Sequence, residues 1–198
     1  MKNILVLVPH TDDEILCYGT LTKFKEQGSN IDILAFSYPH ELPKIKKEFE
    51  NSCRILNANY KIIFDLPIRN LQSVRQELLE CLIEYSKQKE YDLVFCPCST
   101  DTHQDHEVIY NECFRAFKLT NIWGYFAPHN CKSFNIQIYS VLKKEHILQK
   151  MSAINCYQTQ KTRSYFNDNY FEMLAKVNGK AIKQEYAEVF ENIRSIMK

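Results

Sequence analysis

Ile4-Leu5-Val6-Leu7-Val8-Pro9-His10-Thr11-Asp12-Asp13-Glu14 is the stretch on which the fold turns. Its first five residues are all apolar, which is too short for a membrane span and reads as a strand buried on both faces. Pro9 bounds the run, and three carboxylates and an imidazole follow at once. Over 13–27 the apolar residues Ile15, Leu16, Leu21 and Phe24 recur at helical spacing, and Gly28 is the stop. A buried strand leading through a polar cluster into a helix opens a parallel α/β arrangement.

The alternation continues outward from there. The pattern predicts strands over 31–36, 60–64 and 91–96, with helices over 41–56, 71–89 and 105–118. The helix over 71–89 is the clearest, because Leu71, Val74, Leu78, Leu79, Leu82 and Ile83 form one stripe. After residue 120 the rhythm changes. Strands are expected over 123–127 and 137–142, and closing helices over 143–155 and 180–197. The stretch 157–179 is polar and aromatic without a clear period, and suits a loop or a short helix. The fold class is α/β: a doubly wound, mostly parallel sheet flanked by helices, in a single domain over 1–198.

The bulk properties narrow the function. Acids and bases nearly balance at a formal net charge of +1, and no run of like charges stands out. Nothing points to nucleic acid or to an anionic membrane, so a small-molecule substrate is the expectation. Eight cysteines are scattered through apolar runs with no secretion signal before them. They read as reduced, buried thiols of a cytoplasmic protein, and Cys96-Pro97-Cys98 lacks the spacing of a CxxC motif.

Ligands of open α/β sheets bind beyond the carboxyl ends of the strands. Two such ends carry unusual residues: the segment through His10, Asp12, Asp13 and Glu14, and the segment Asp101-Thr102-His103-Gln104-Asp105-His106. Each opens a helix. Acids at a helix start can be caps, but capping does not explain His10. The first and fourth strands of a doubly wound sheet can be neighbours at its switch point, which brings both clusters into one crevice. Two imidazoles and a carboxylate leave an open position on a Zn2+ and suit a catalytic site. A spare carboxylate, Asp12, then serves as base toward metal-bound water, and a spare His103 as donor to the reacting oxygen.

At these residues the chain resembles a known family. Pro9-His10-Thr11-Asp12-Asp13-Glu14 is similar to the PHPDDE motif of the LmbE-like, or PIG-L, de-N-acetylases, and His103-Gln104-Asp105-His106 to their HxDH motif. The resemblance implies a Rossmann-like fold and Zn2+-dependent removal of acetyl groups from N-acetylated amino sugars or their conjugates. Fe2+ is also compatible with such ligands. The resemblance makes His10, Asp13 and His106 the metal ligands and Asp12, His103 and Asp105 the catalytic group. In that group Asp12 is the base, His103 the oxyanion stabiliser and Asp105 the carboxylate that orients His103. Glu14 and Asp101 then support the ligands from behind. Arg54 resembles a helix-two arginine of the family and is a candidate substrate contact. Tyr157-Gln158-Thr159-Gln160 is similar to a YxSQ segment, and Tyr186-Ala187-Glu188-Val189-Phe190 to an AEAF-like signature. The resemblance leaves homo-oligomerisation open. Thr11 stands where the motif usually has proline, Thr159 where it has serine, and Asn178 where many members have arginine.

Position nominates further contacts. Tyr125 lies in the strand over 123–127 and His129 and Asn130 follow it, all three being candidate substrate-binding residues, and His40 follows the second strand at the crevice rim. Phe126, Tyr165, Phe166, Tyr170 and Phe171 supply aromatic faces suited to a pyranose wall or lid. His146 sits in a helical pattern and reads as a surface or half-buried residue. Two rival functions use some of the same features. A non-haem Fe(II) oxygenase also takes two histidines and a carboxylate, but the parallel α/β pattern and the extra Asp12 argue against it. A non-catalytic Rossmann-like binding protein lacks support, because an acidic cluster stands where GxGxxG would receive a pyrophosphate.

Overall fold

Strand β1 (Asn3–His10) carries alternate side chains to two different cores, which is why its sequence is apolar without a break. Ile4, Val6 and Val8 face one layer, while Leu5 and Leu7 face the other, and all five are fully buried. Burying each such side chain contributes roughly 1.5–3 kcal/mol. The computed structural model describes residues 1–166 and 169–197.

Within the described residues β1 lies in the middle of a seven-stranded sheet. The other strands are β2 (Asn30–Ser37), β3 (Asn59–Ile62), β4 (Leu93–Pro97), β5 (Asn121–Tyr125), β6 (Ile138–Leu142) and β7 (Tyr186–Arg194), in the order β3-β2-β1-β4-β5-β7-β6. The first five strands in that order are parallel, and β7 runs antiparallel to both β5 and β6. The helices are α1 (Tyr18–Glu26), α2 (Ile45–Leu56), α3 (Arg75–Gln88), α4 (Gln104–Ala116), α5 (Lys144–Ile154) and α6 (Tyr170–Ala181). Helices α1, α2 and α5 pack together on the Ile4–Val6–Val8 side, with Ile45, Phe49 and Cys53 of α2 in that core. Helices α3 and α4 pair on the other side, where the predicted stripe delivers Leu78 and Leu82 against Leu5 and Leu7.

The chain order reverses between β1 and β4, which are neighbours, so the carboxyl ends of these two strands flank the switch point. The motif segment after β1 is a 3-10 turn over Asp13–Cys17 before α1 begins. The C-terminal reading needs correction. Half of the predicted helix 180–197 is strand β7, because Tyr186 to Phe190 are buried between two strands whose backbones they satisfy. The unassigned stretch 157–179 holds two short 3-10 turns and most of α6, and residues 167 and 168 within it lie outside the described residues. No described helix is long and apolar enough to cross a membrane.

Candidate active site

The end of β1 presents His10, and the turn behind it brings Asp13 back beneath the same residue. The His10 backbone N–H donates to Asp13 Oδ2 at 3.0 Å, and that oxygen also lies 3.1 Å from His10 Nδ1. Across the switch point, the first turn of α4 carries His106, whose Nε2 lies 3.3 Å from the same Asp13 oxygen. The far nitrogen of each ring is held by a carboxylate. Asp105 Oδ2 is 2.9 Å from His10 Nε2, and Asp101 Oδ2 is 2.7 Å from His106 Nδ1. The inward nitrogens and the Asp13 oxygen therefore converge on one point with fixed ring orientations.

This donor set fits a divalent cation. Two imidazole nitrogens and a carboxylate oxygen suit Zn2+ or Fe2+, and both rings carry the carboxylate partner that metal-bound histidines usually have. Burial disfavours charge on His106, yet Asp13 and Asp101 raise its pKa to about 10, so the carboxylates here call for a positive charge. His103 stands close by as a third imidazole, with ring centroids 4.8 Å from His10 and 4.9 Å from His106. Its Nδ1 accepts the Asp105 backbone N–H at 3.2 Å, which leaves the proton of the neutral ring on Nε2. Burial, with His10 and His106 beside it, lowers the His103 pKa to about 4.

Asp12 lines the same cleft and is almost fully buried. Burial, with Asp13 next to it, pushes its carboxyl up to about 6, while Arg163, 3.6 Å away, works in the opposite direction. The cleft has a volume of about 240 Å³. Beyond the residues above, its walls include Ile68, Arg69, His129, Asn130, Arg163, Tyr165 and Phe166. The Tyr165 ring stacks on His129 at 4.1 Å with planes 5° apart, giving a flat aromatic wall. Arg69 holds a left-handed backbone at φ 69°, and this turn delivers the N–H groups of Arg69 and Leu71 to the Asp105 carboxylate.

Several sequence expectations change. The Asp105 carboxylate grips His10 and the 69–71 turn rather than orienting His103, which it meets only through its backbone N–H. Glu14 points away from the ligands and is fully buried, accepting from Ser52 and Tyr157. It joins the motif turn to α2 and to the YxSQ-like segment. Thr159 in that segment in turn bonds Glu48 of α2. Arg54 is exposed and pairs with Glu50 at 3.6 Å on the solvent side of α2, away from the cleft. Tyr125 is fully buried in the core, and its hydroxyl donates to the Leu7 carbonyl at 3.0 Å, so it does not line the cleft. His40 packs on Tyr38 with ring centroids 4.6 Å apart and planes tilted by 38°, and it does not line the cleft. His146 is buried, not surface-lying, and meets Glu26 at 2.9 Å. Phe126 and Phe171 line a separate small cavity beside Lys150, and Tyr170 packs on Phe171.

Of the candidate contacts, His129, Asn130, Tyr165 and Phe166 do reach the cleft. Sequence reading missed Ile68, Arg69 and Arg163. Arg69 follows the carboxyl end of β3, so the strand-end rule was a usable signal for it. Arg163 lies in a stretch with no period and carried none.

Comparison with known proteins gives three kinds of likeness. Residues 5–117 match the family described as PIG-L, GlcNAc-PI de-N-acetylase. A curated relative, the uncharacterized deacetylase YaiS of Escherichia coli (strain K12), is 23% identical over 164 residues, covering 77% of this chain and 89% of its own. Among solved structures, GalB, the 4-carboxy-2-hydroxymuconate hydratase of Pseudomonas putida KT2440, superposes with a TM-score of 0.82 at 17% identity, over 100% of this chain and 98% of that one. The N,N'-diacetylchitobiose deacetylase of Pyrococcus horikoshii superposes with a TM-score of 0.70 at 19% identity, over 96% and 83%. At such identities the structural likenesses speak for the fold.

Proposed function

The chain belongs to the PIG-L family of de-N-acetylases, and from that membership we propose that it is a metal-dependent hydrolase removing an acetyl group from an N-acetylated amino sugar or its conjugate. The observation that carries this reading is the convergence of His10 Nδ1, Asp13 Oδ2 and His106 Nε2 in a cleft that Asp12 also lines. These three residues would hold the metal. Bound there, a divalent cation supplies a Lewis acid that polarises an amide carbonyl and makes water more acidic.

The chain's own groups do the rest. Asp12 is the spare carboxylate of the cleft, and it accepts the proton of the attacking water. His103 offers its Nε2–H as a hydrogen bond to the oxygen that gains charge, and the proton that Asp12 has taken passes to the departing amine. Asp105 and Asp101 keep the His10 and His106 rings from turning. The stacked Tyr165 and His129 rings offer a flat face to the apolar side of a pyranose, and Asn130 a polar edge to its hydroxyls.

The fold alone does not select hydrolysis, since a hydratase shares it. Family membership and the acid–base pair beside the ligand set favour deacetylation. The test is a screen of N-acetylated amino sugars, free, nucleotide-linked and conjugated, for release of acetate by metal-loaded protein. Release that stops on chelation is the expected result. No acetate from any of them at full metal occupancy would overturn the substrate class.

A further inference from the structure

The loops after β4 and β5 hold two cysteines for which the chemistry above has no use. Cys98 is buried at the end of β4, Cys131 is half-buried in the loop after β5, and their sulfurs stand 3.4 Å apart. The two loops are already laced together. Asp101 and Cys131 form an isolated antiparallel bridge. The Thr102 N–H and hydroxyl both donate to the Asn130 carbonyl, at 3.2 and 2.6 Å, and the Thr100 hydroxyl donates to the Ser133 carbonyl at 2.6 Å. One loop carries Asp101 and His103, and the other carries His129 and Asn130, so the pair joins two walls of the cleft.

Cys98 also differs chemically from other thiols of the chain. The Cys131 thiol, donating to the Cys98 sulfur, holds the Cys98 pKa below the usual range against the effect of burial, and the Thr100 backbone assists. Burial instead pushes up the thiols of Cys17, Cys53, Cys81, Cys96 and Cys156. The thiolate is the form that oxidants attack.

We infer that Cys98 and Cys131 are a dithiol pair that a peroxide converts to a disulfide, tying together the two loops that wall the cleft. The Cys98 sulfur attacks one peroxide oxygen, the O–O bond breaks, and one water leaves with the Cys98 proton, giving a sulfenic acid. The Cys131 sulfur then attacks the Cys98 sulfur, the S–O bond breaks, and a second water leaves with the Cys131 proton. Hydrogen peroxide gains the two electrons that the two thiols lose. Closing the bond moves the sulfurs together by about 1.4 Å, to the roughly 2.05 Å of a disulfide. Cys98 is the fixed end, since it is 1% exposed and its Cα lies only 2.9 Å from where a Cβ on Gly124 would stand. The Cys131 side therefore moves, carrying Asn130 with it.

The test treats the native protein with hydrogen peroxide, blocks remaining thiols before unfolding, and maps the peptides. The expected product is a Cys98–Cys131 linked peptide lighter by two hydrogens, reversed by dithiothreitol, with slower amide exchange over 127–133. In Cys131→Ser the sulfenic acid should persist, and dimedone should label Cys98. In Cys98→Ser, Cys131 should stay unlabelled. Peroxide that oxidises the half-buried Cys81 or Cys156 while leaving Cys98 and Cys131 as free thiols would overturn the inference. So would a linkage that forms only after unfolding, or dimedone labelling of Cys131 rather than Cys98.

Discussion

Asp12 and Asp13 are adjacent, carry the same side chain and face the same cleft, yet the structure gives them different neighbours. Asp13 lies within 3.3 Å of two imidazole nitrogens, whereas the nearest charged partner of Asp12 is Arg163 at 3.6 Å. Asp12→Asn should therefore keep its metal, measured by elemental analysis, and lose about two to four orders of magnitude in turnover, as removal of a general base does. Near-normal turnover of metal-loaded protein would remove Asp12 from that role. Asp101→Asn should act differently, because its carboxylate holds His106 Nδ1 at 2.7 Å and accepts the His103 backbone N–H at 2.9 Å. A metal titration should find affinity lower by about 10–100-fold, and unchanged affinity would show that the ring needs no such support. The residue types at this scale were legible from two short motifs, because no structural role accounts for a histidine beside three acids at a strand end. Their pairing was not. That Asp105 grips His10 rather than His103 depends on how α4 lies across β1, and Arg54 could be separated from the cleft only by seeing which face of α2 it occupies.

Strand β7 is the element that local pattern misread. Its residues include Ala187, Glu188 and Glu191, good helix formers, yet the chain pairs with β5 and β6 because those strands need a partner between them. Glu188 explains part of the signature here. Its carboxylate accepts the Gly19 and Thr20 N–H groups at the start of α1, at 3.0 and 2.7 Å, and pairs with buried Lys150 at 2.7 Å. The residue thus fastens three elements, α1, α5 and β7, just after the motif turn. Glu188→Ala leaves an uncompensated buried ammonium, and urea unfolding should find the protein less stable by about 3–5 kcal/mol. A loss under 1 kcal/mol would mean that Lys150 finds water or another acceptor. The cysteines teach a related lesson. The sequence sets Cys96-Pro97-Cys98 side by side, but Cys96 is buried in the core that Leu5 and Leu7 enter, whereas Cys98 lies just past β4 and its partner is Cys131 in another loop.

For the whole molecule, the site is a property of sheet order. His10 and His106 are 96 positions apart and meet only because β1 and β4 are neighbours at the switch point. A metal that binds the folded chain and not the unfolded one should stabilise it by about 2.7 kcal/mol at a hundredfold excess over the dissociation constant, and so raise the melting temperature with concentration. Calorimetry should find that shift in the wild type and in Asp12→Asn, and none in His106→Ala. An equal shift in all three would place the cation elsewhere. The alternation of apolar periods was enough to settle the α/β class and the centre of the sheet, because a strand buried on both faces leaves no other pattern open to it. The two motifs were likewise enough to nominate the residue types for the proposed chemistry, since the groups are carried on short segments with little other reason to exist. Contacts between distant segments lay beyond the order of residues. The place of Glu14 under α2, the wall made by His129 and Tyr165, the strand at 186–194 and the meeting of Cys98 with Cys131 all depend on packing across more than twenty residues of chain. No local period encodes such pairings, because each is decided by which buried surfaces and unpaired backbone groups the rest of the fold leaves to be satisfied.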